Sequence, residues 1–472
     1  MIATIRKILK RSFDRISNEK IKYNFLQAVP FWVASLIAGL IAVSYSRAFA
    51  FLESQTFSIL HQHGWVIFIL SPVCFIAAWW LVVRFAPYAR TSGIPQVMAA
   101  VEFATTNYDK KIKKLLSLKV FFVKLASGLL MILGGGAVGK EGPTIQMSGI
   151  VFRKINEWLP KWWPPISRSN MITAGAAAGL AAAFNTPLGG IVFAIEELTK
   201  THLSYFKTAL FTAVIIAGLT AQAILGPYLY LGYPDVTGVS NSIFFAVIVV
   251  ALVSGLLGSY MSKIILLLFR WKKSFKFQYQ HLIYVFICAI LTASIAFFID
   301  PRILGSGKEI MLTTLFSSDK YVHWYTAVFR VIGPVLSFTT GASAGIFAPS
   351  LGAGASVGSF MAGLFHASDS NANILILCGM VGLLTGVTRT PFTSAILVLE
   401  MTDRNSVIFY MMIAGLISSL VALTVDKHSL YDHLKVQSIH DLTHEKEDEI
   451  KEPQNPNPIK DGIFEDKRKL EG

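Results

Sequence analysis

The sequence predicts an all-α polytopic membrane protein with an internal duplication, and three observations carry that reading. Hydrophobic residues make up 53% of the 472-residue chain and charged residues 15%, with mean hydropathy +0.55. Those values lie well away from soluble averages. Apolar stretches recur at 28–52, 64–86, 120–138, 171–195, 208–232, 242–269, 281–299, 324–350, 372–399 and 406–425. Finally, two motifs return in the same order at nearly one spacing.

Each apolar stretch is about long enough to cross a bilayer core, although glycine and proline clusters interrupt several of them. The first is too long for a signal-peptide core and has no cleavage pattern, so it reads as a retained helix. The duplication is visible in Thr186-Pro187-Leu188 and Thr390-Pro391-Phe392, 204 residues apart. The same shift carries Glu196 onto Glu400. Upstream, Gly139-Lys140-Glu141-Gly142-Pro143 returns 206 residues later as Gly345-Ile346-Phe347-Ala348-Pro349. We therefore expect membrane repeats at 28–236 and 237–436. A basic segment, 1–27, precedes them and a charged tail, 437–472, follows. Few apolar anchors make that tail an expected disordered cytoplasmic segment. Transporters are commonly built this way, with substrate held where broken helices of the two repeats meet. Whether the copies are parallel or inverted is not legible in the motifs themselves.

The formal charge of +14 raises the question of nucleic acid, but its placement points elsewhere. Basic residues gather at Arg6, Lys7, Lys10, Arg11 and Arg15, at Lys110, Lys111, Lys113 and Lys114, and at Arg270, Lys272 and Lys273. Such clusters beside apolar segments are topogenic and mark the cytoplasmic side. The expected partner is the bilayer, not nucleic acid. Cys74, Cys288 and Cys378 lie inside apolar runs and read as small core residues. No zinc spacing, HExxH or phosphate loop is present, so neither enzyme activity nor a cofactor is expected.

Glu141 is the residue with no comfortable structural role. A carboxylate at membrane depth costs several kcal/mol and usually faces a polar pathway. Glycines surround it, and Pro143 suits the first turn of a helix. The N–H groups and dipole of a helix start favour an anion. An ionisable acid at such a place makes protons and anions competitors for one seat. Other breaks occur at Ser92-Gly93-Ile94-Pro95 and at Tyr431, just past the last apolar span. Taken alone, Ser92 reads as a helix N-cap and Tyr431 as an interfacial aromatic. Gly134–Gly136 and the Ala174–Ala183 tract read as close packing. Glu196 and Glu400 read as structural acids at helix ends facing water.

Together these motifs resemble the CLC family of chloride channels and proton/chloride exchangers. The signatures are Ser92-Gly93-Ile94-Pro95, Gly139-Lys140-Glu141-Gly142-Pro143 and Gly345-Ile346-Phe347-Ala348-Pro349, and the similarity runs from about residue 30 to 436. The resemblance implies two inverted-topology repeats of tilted or broken helices, and a homodimer with one pathway per subunit. It implies that Ser92 and Tyr431 give hydroxyl hydrogen bonds to chloride, beside the backbone N–H groups of Ile346 and Phe347. Glu141 would be the external gating glutamate. Glu197, second of the Glu196-Glu197 pair, would pass protons between the cytoplasm and Glu141. Serine at 92 suits chloride, whereas relatives with proline there favour nitrate and fluoride exchangers depart from this motif. An acid at 197 is similar to the exchangers and unlike the channels of the family. The expectation is a proton-coupled chloride antiporter, the alternative being a passive channel gated by Glu141. Thr91 departs from the family's usual glycine, and Gln96 and Met98 stand where relatives often carry acids. No cystathionine-synthase-type domain is present, and the short tail suggests a prokaryotic inner-membrane protein with both termini cytoplasmic.

Overall fold

The computed structural model describes residue 13 and residues 18–105, 109–198, 207–226, 229–237, 243–318 and 320–449. The basic residues Arg6, Lys7, Lys10, Arg11 and Arg15 lie outside them. The chain opens with α1 (Glu19–Gln62), α2 (Ile67–Phe85), α3 (Ile94–Thr105), α4 (Asp109–Leu115) and α5 (Leu118–Leu133). Next come α6 (Glu141–Trp158), α7 (Arg168–Phe184), α8 (Pro187–Phe193) and α9 (Lys207–Leu225). The second half holds α10 (Ile243–Lys272), α11 (Gln278–Phe298), α12 (Lys308–Phe316), α13 (Trp324–Thr339) and α14 (Phe347–Leu364). It closes with α15 (Asp369–Thr388), α16 (Pro391–Thr402), α17 (Ile408–Val425) and α18 (Leu430–Glu449). No strand occurs among the described residues.

Among the described residues, eight helical stretches are long and apolar enough to cross a membrane. The protein is a multi-pass membrane protein. Its 44-residue α1 would extend about 65 Å at the helical rise, well beyond a bilayer core. Asn18 caps it, accepting from the Lys20 and Ile21 N–H groups at 3.1 Å each. Its Val33, Leu36, Ile37 and Leu40 are exposed, whereas Ala34, Ala38 and Ala42 are fully buried. An outward stripe of large side chains and an inward stripe of small ones is what lipid contact on one side and close helix packing on the other require.

The interior is built differently. Every residue of the Ala174–Ala183 tract in α7 is buried, so the small residues pack helices as expected. Helices α6 and α14 are buried through their first three turns and carry small and polar residues. Hydropathy missed α3 and α6 for this reason: a helix shielded by other helices need not be apolar. Helix α12 was missed because it is short and begins with Lys308 and Glu309. The apolar stretch 324–350 is not one span. It breaks after Thr339, and α14 starts anew at Phe347. The three cysteines are buried.

Two expected segment edges fall inside helices. Residue 28 lies within α1, which begins at Glu19. The segment from 437, expected to be disordered, continues α18 through Glu449. Leu434, Ser438 and Leu442 are buried, Asp441 pairs with Arg90 at 2.6 Å, and Lys435 with Glu102 at 3.1 Å. Two leucines eight residues apart, amid charges, are too sparse a pattern to read as an anchor.

Candidate functional site

Three interrupted loops are tied together by backbone hydrogen bonds at the centre of the molecule. Thr91 donates its N–H to the Ala342 carbonyl at 2.9 Å, and Ala344 donates to the Thr91 carbonyl at 3.1 Å. Gly139 and Gly345 exchange a reciprocal pair at 2.8 and 3.1 Å. The approach admits only glycine, since a Cβ at Gly345 would lie 2.3 Å from the Gly139 carbonyl oxygen. The two repeat-related motifs therefore touch, and the Ser92 loop is bound to the same strap. Its Oγ accepts from the Ile94 N–H at 3.3 Å, and a Cβ at Gly142 would sit 2.6 Å from that oxygen. Ser92 thus caps α3 as its local sequence suggests, while its hydroxyl also faces the start of α6.

Glu141 is completely buried. Its side chain turns back across the strap: a Cβ on Gly139 would stand 2.3 Å from Oε2, 3.1 Å from the Pro349 ring and 3.4 Å from the Ala348 methyl. The carboxylate therefore lies at the first turn of α14. The first N–H groups there have no acceptor in their own helix, and Ile346 provides no side-chain cap. The backbone N–H groups of Ala348 and of Glu141 itself act on the carboxylate. Neither oxygen completes a hydrogen bond of ordinary geometry among the described residues. The carboxyl group is loosely held at a helix start, a place where the unpaired N–H groups and the dipole favour negative charge.

Tyr431, in the first turn of α18, closes the site. Its ring stacks on Phe347 with centroids 6.1 Å apart and planes 12° apart, and it is fully buried. Among the described residues the hydroxyl lacks a hydrogen bond of ordinary geometry, and Ser92, Glu141 and Glu197 are the polar groups whose fields act on it. Phe347 also meets Phe193 edge-on at 6.0 Å. Phe193 ends α8, and the chain continues as a π-helical turn, Ala194–Leu198, carrying Glu197 at 6% exposure. Single π turns are common at functional sites because they re-aim one side chain. Ser92, Glu141, Ile346, Phe347 and Tyr431 thus share one centre, and the turn that carries Glu197 meets it through the Phe193–Phe347 contact.

The family model for voltage-gated chloride channels matches residues 73–423. The chain belongs to this CLC family. It is similar to the H(+)/Cl(-) exchange transporter ClcA of Klebsiella pneumoniae subsp. pneumoniae, 28% identical over 418 residues, covering 84% of this chain and 86% of the relative. ClcA of Citrobacter koseri is 28% identical over 433 residues, with 86% and 87% covered. A slow cyanobacterial Cl-/H+ antiporter superposes with TM-score 0.76 at 26% identity, covering 89% of this chain and 99% of the other. A CLC-type fluoride/proton antiporter, at TM-score 0.71 and 20% identity over 88% and 98%, shares the fold.

Three features of this CLC chain escaped the motif reading. Lys124 is fully buried, and its Nζ donates to the carbonyls of Thr91 at 2.8 Å and Arg90 at 3.3 Å, holding the Ser92 loop in place. Its signal was a lone cation inside the 120–138 apolar run. Tyr45, midway along α1, is buried beside Gly128, and its hydroxyl has no hydrogen-bond partner among the described residues. A tyrosine far from either end of a span was the available clue. Glu196 and Glu400 are half-buried structural acids at helix ends, and what the motifs did not reveal is which helices they serve. Glu196 accepts from the Phe392 and Thr393 N–H groups at 3.2 and 2.7 Å, and Glu400 from those of Leu188 and Gly189 at 3.0 and 2.6 Å. Each half's acid caps the other half's helix.

Proposed function

We propose that this protein is a proton-coupled chloride antiporter, moving chloride and protons in opposite directions across the membrane. The observation that carries the proposal is the position of the Glu141 carboxylate, lying on the N-terminal turn of α14. When ionised, Glu141 holds the seat an anion would take. When protonated it loses its attraction to the helix dipole and yields that seat, so proton binding and anion entry are linked. Chloride is then bound by the Ser92 and Tyr431 hydroxyls and the N–H groups of Ile346 and Phe347. Partial charges suit an ion that must leave as readily as it enters. Glu197 exchanges protons between the cytoplasm and Glu141.

The acid at 197 supports antiport over a passive channel gated by Glu141, as do relatives named exchange transporters. Family membership supports a homodimer with one pathway per subunit. The lysines of α4 and the basic end of α10 support a cytoplasmic placement of both segments, and we place both termini on that side of the inner membrane. The test is proton flux in proteoliposomes with high internal chloride and a low-chloride bath. Inward proton pumping driven by chloride efflux, persisting under a potassium and valinomycin clamp, is the expected result. Chloride efflux without pumping would leave the channel reading; no chloride flux would remove the anion assignment.

A further inference from the structure

A second anion-attracting feature lies away from the transport centre. A cavity of about 540 Å³ opens between α4, the last turns of α6 and the segment leading into α7. Lys110, Lys113, Arg153 and Arg168 line it against a single acid, Glu157. That acid is already engaged, by Arg153 Nη1 and by Lys154 Nζ at 2.9 Å. Four cations less one acid leave the lining with three positive charges in excess.

Arg153 is what makes this more than a basic surface. Only 4% of it is exposed. Its Nε donates to the Leu116 carbonyl at 2.9 Å, fixing one edge of the guanidinium. Its Nη2 is buried without a hydrogen-bond partner among the described residues, while Arg153 lines the cavity. An immobilised guanidinium with an unused donor matches the geometry of a phosphate oxygen. Leu159, Trp163, Pro164, Pro165 and Ile166 give the lining an apolar and aromatic part. Trp163 is held there by its Nε1 donating to the Leu26 carbonyl at 2.7 Å. Nearby Trp158 and Tyr23 are 64% and 52% exposed, as in an interfacial aromatic belt. Basic pockets between helices at the cytoplasmic interface suit anionic lipid headgroups.

We infer that this cavity binds a phosphate group, supplied by an anionic phospholipid of the inner leaflet. The inference rests on the cytoplasmic placement of α4 proposed above. The test reads binding, not ion flux, so it stands or falls separately from the transport assignment.

The experiment measures thermal stabilisation of the full-length protein in detergent by dihexanoylphosphatidylglycerol, dihexanoylphosphatidylcholine and inorganic phosphate. Wild type is compared with the double variant Lys110→Gln, Lys113→Gln, whose exposed positions leave the fold intact, and with Arg153→Lys. Phosphatidylglycerol is expected to bind wild type, about thirtyfold more weakly to the double variant and about tenfold more weakly to Arg153→Lys. Phosphatidylcholine should not stabilise. Should Arg153→Lys not fold, the double variant decides. Inorganic phosphate binding as tightly as phosphatidylglycerol, and lost in the variant, would retain the phosphate site and overturn the lipid as its occupant. Equal stabilisation of wild type and double variant, or none of either, overturns the site.

Discussion

At the start of α6 the chain reads Gly139-Lys140-Glu141-Gly142-Pro143, and at the start of α14 it reads Gly345-Ile346-Phe347-Ala348-Pro349. The duplication sets Glu141 opposite Phe347. In the first half the position carries a charge that reaches across to the other half's helix start. In the second it carries a ring that stacks on Tyr431 and leaves its own N–H groups to that charge. The outer pair, Glu196 and Glu400, has kept its symmetry, each capping the helix that the other half presents. On the proposed mechanism, divergence at the centre turns two equivalent helix ends into one acid and one anion seat. Symmetry at the periphery ties the halves together by reciprocal capping, with no role assigned to it in transport.

The strongest way to break this contrast is Glu141→Gln. It removes the proton acceptor but keeps the side chain's shape. Chloride-driven proton uptake in proteoliposomes should fall at least a hundredfold while chloride flux persists; retained pumping would sink the central asymmetry. Glu197→Gln should lower proton flux tenfold or more with chloride flux changed by less than about threefold, because this acid stands off the anion seat. Tyr431→Phe keeps the stack on Phe347 and deletes one donor, worth about 1 kcal/mol. Chloride binding by calorimetry should weaken about fivefold.

The symmetric pair sharpens the other side of the comparison. Glu196→Gln and Glu400→Gln should each cost about 1–2 kcal/mol of stability, by similar amounts, with the proton-to-chloride ratio unchanged. An effect on coupling from either would mean that the periphery is not merely structural. Smallest of all, Asp441→Asn breaks a one-third-exposed pair with Arg90 and should cost less than about 1 kcal/mol in thermal unfolding.

Much of this was legible in the chain. Lipid-facing helices announce themselves, because a side chain against hydrocarbon must be apolar. Glu141, Ser92 and Tyr431 stood out because charge, glycine and proline are costly in such company. The duplication followed from spacing alone. Other features waited for the fold, since they depend on which elements shield which. Helices α3 and α6 are wrapped by protein and so lack the hydropathy of a span, and the nine-residue α12 is too short for one. Tyr45 and Lys124 matter only because α1 and α5 pass beside the strap that joins Thr91, Gly139 and the Ala342–Gly345 loop. The reciprocal capping by Glu196 and Glu400 is a contact between residues about two hundred positions apart. The sequence by itself determined that the protein lives in a membrane, that it is doubled, and that one acid sits where an anion would be welcome. Tertiary structure alone decided where that acid points, because a side chain's direction is set by the neighbours that a distant repeat brings to it.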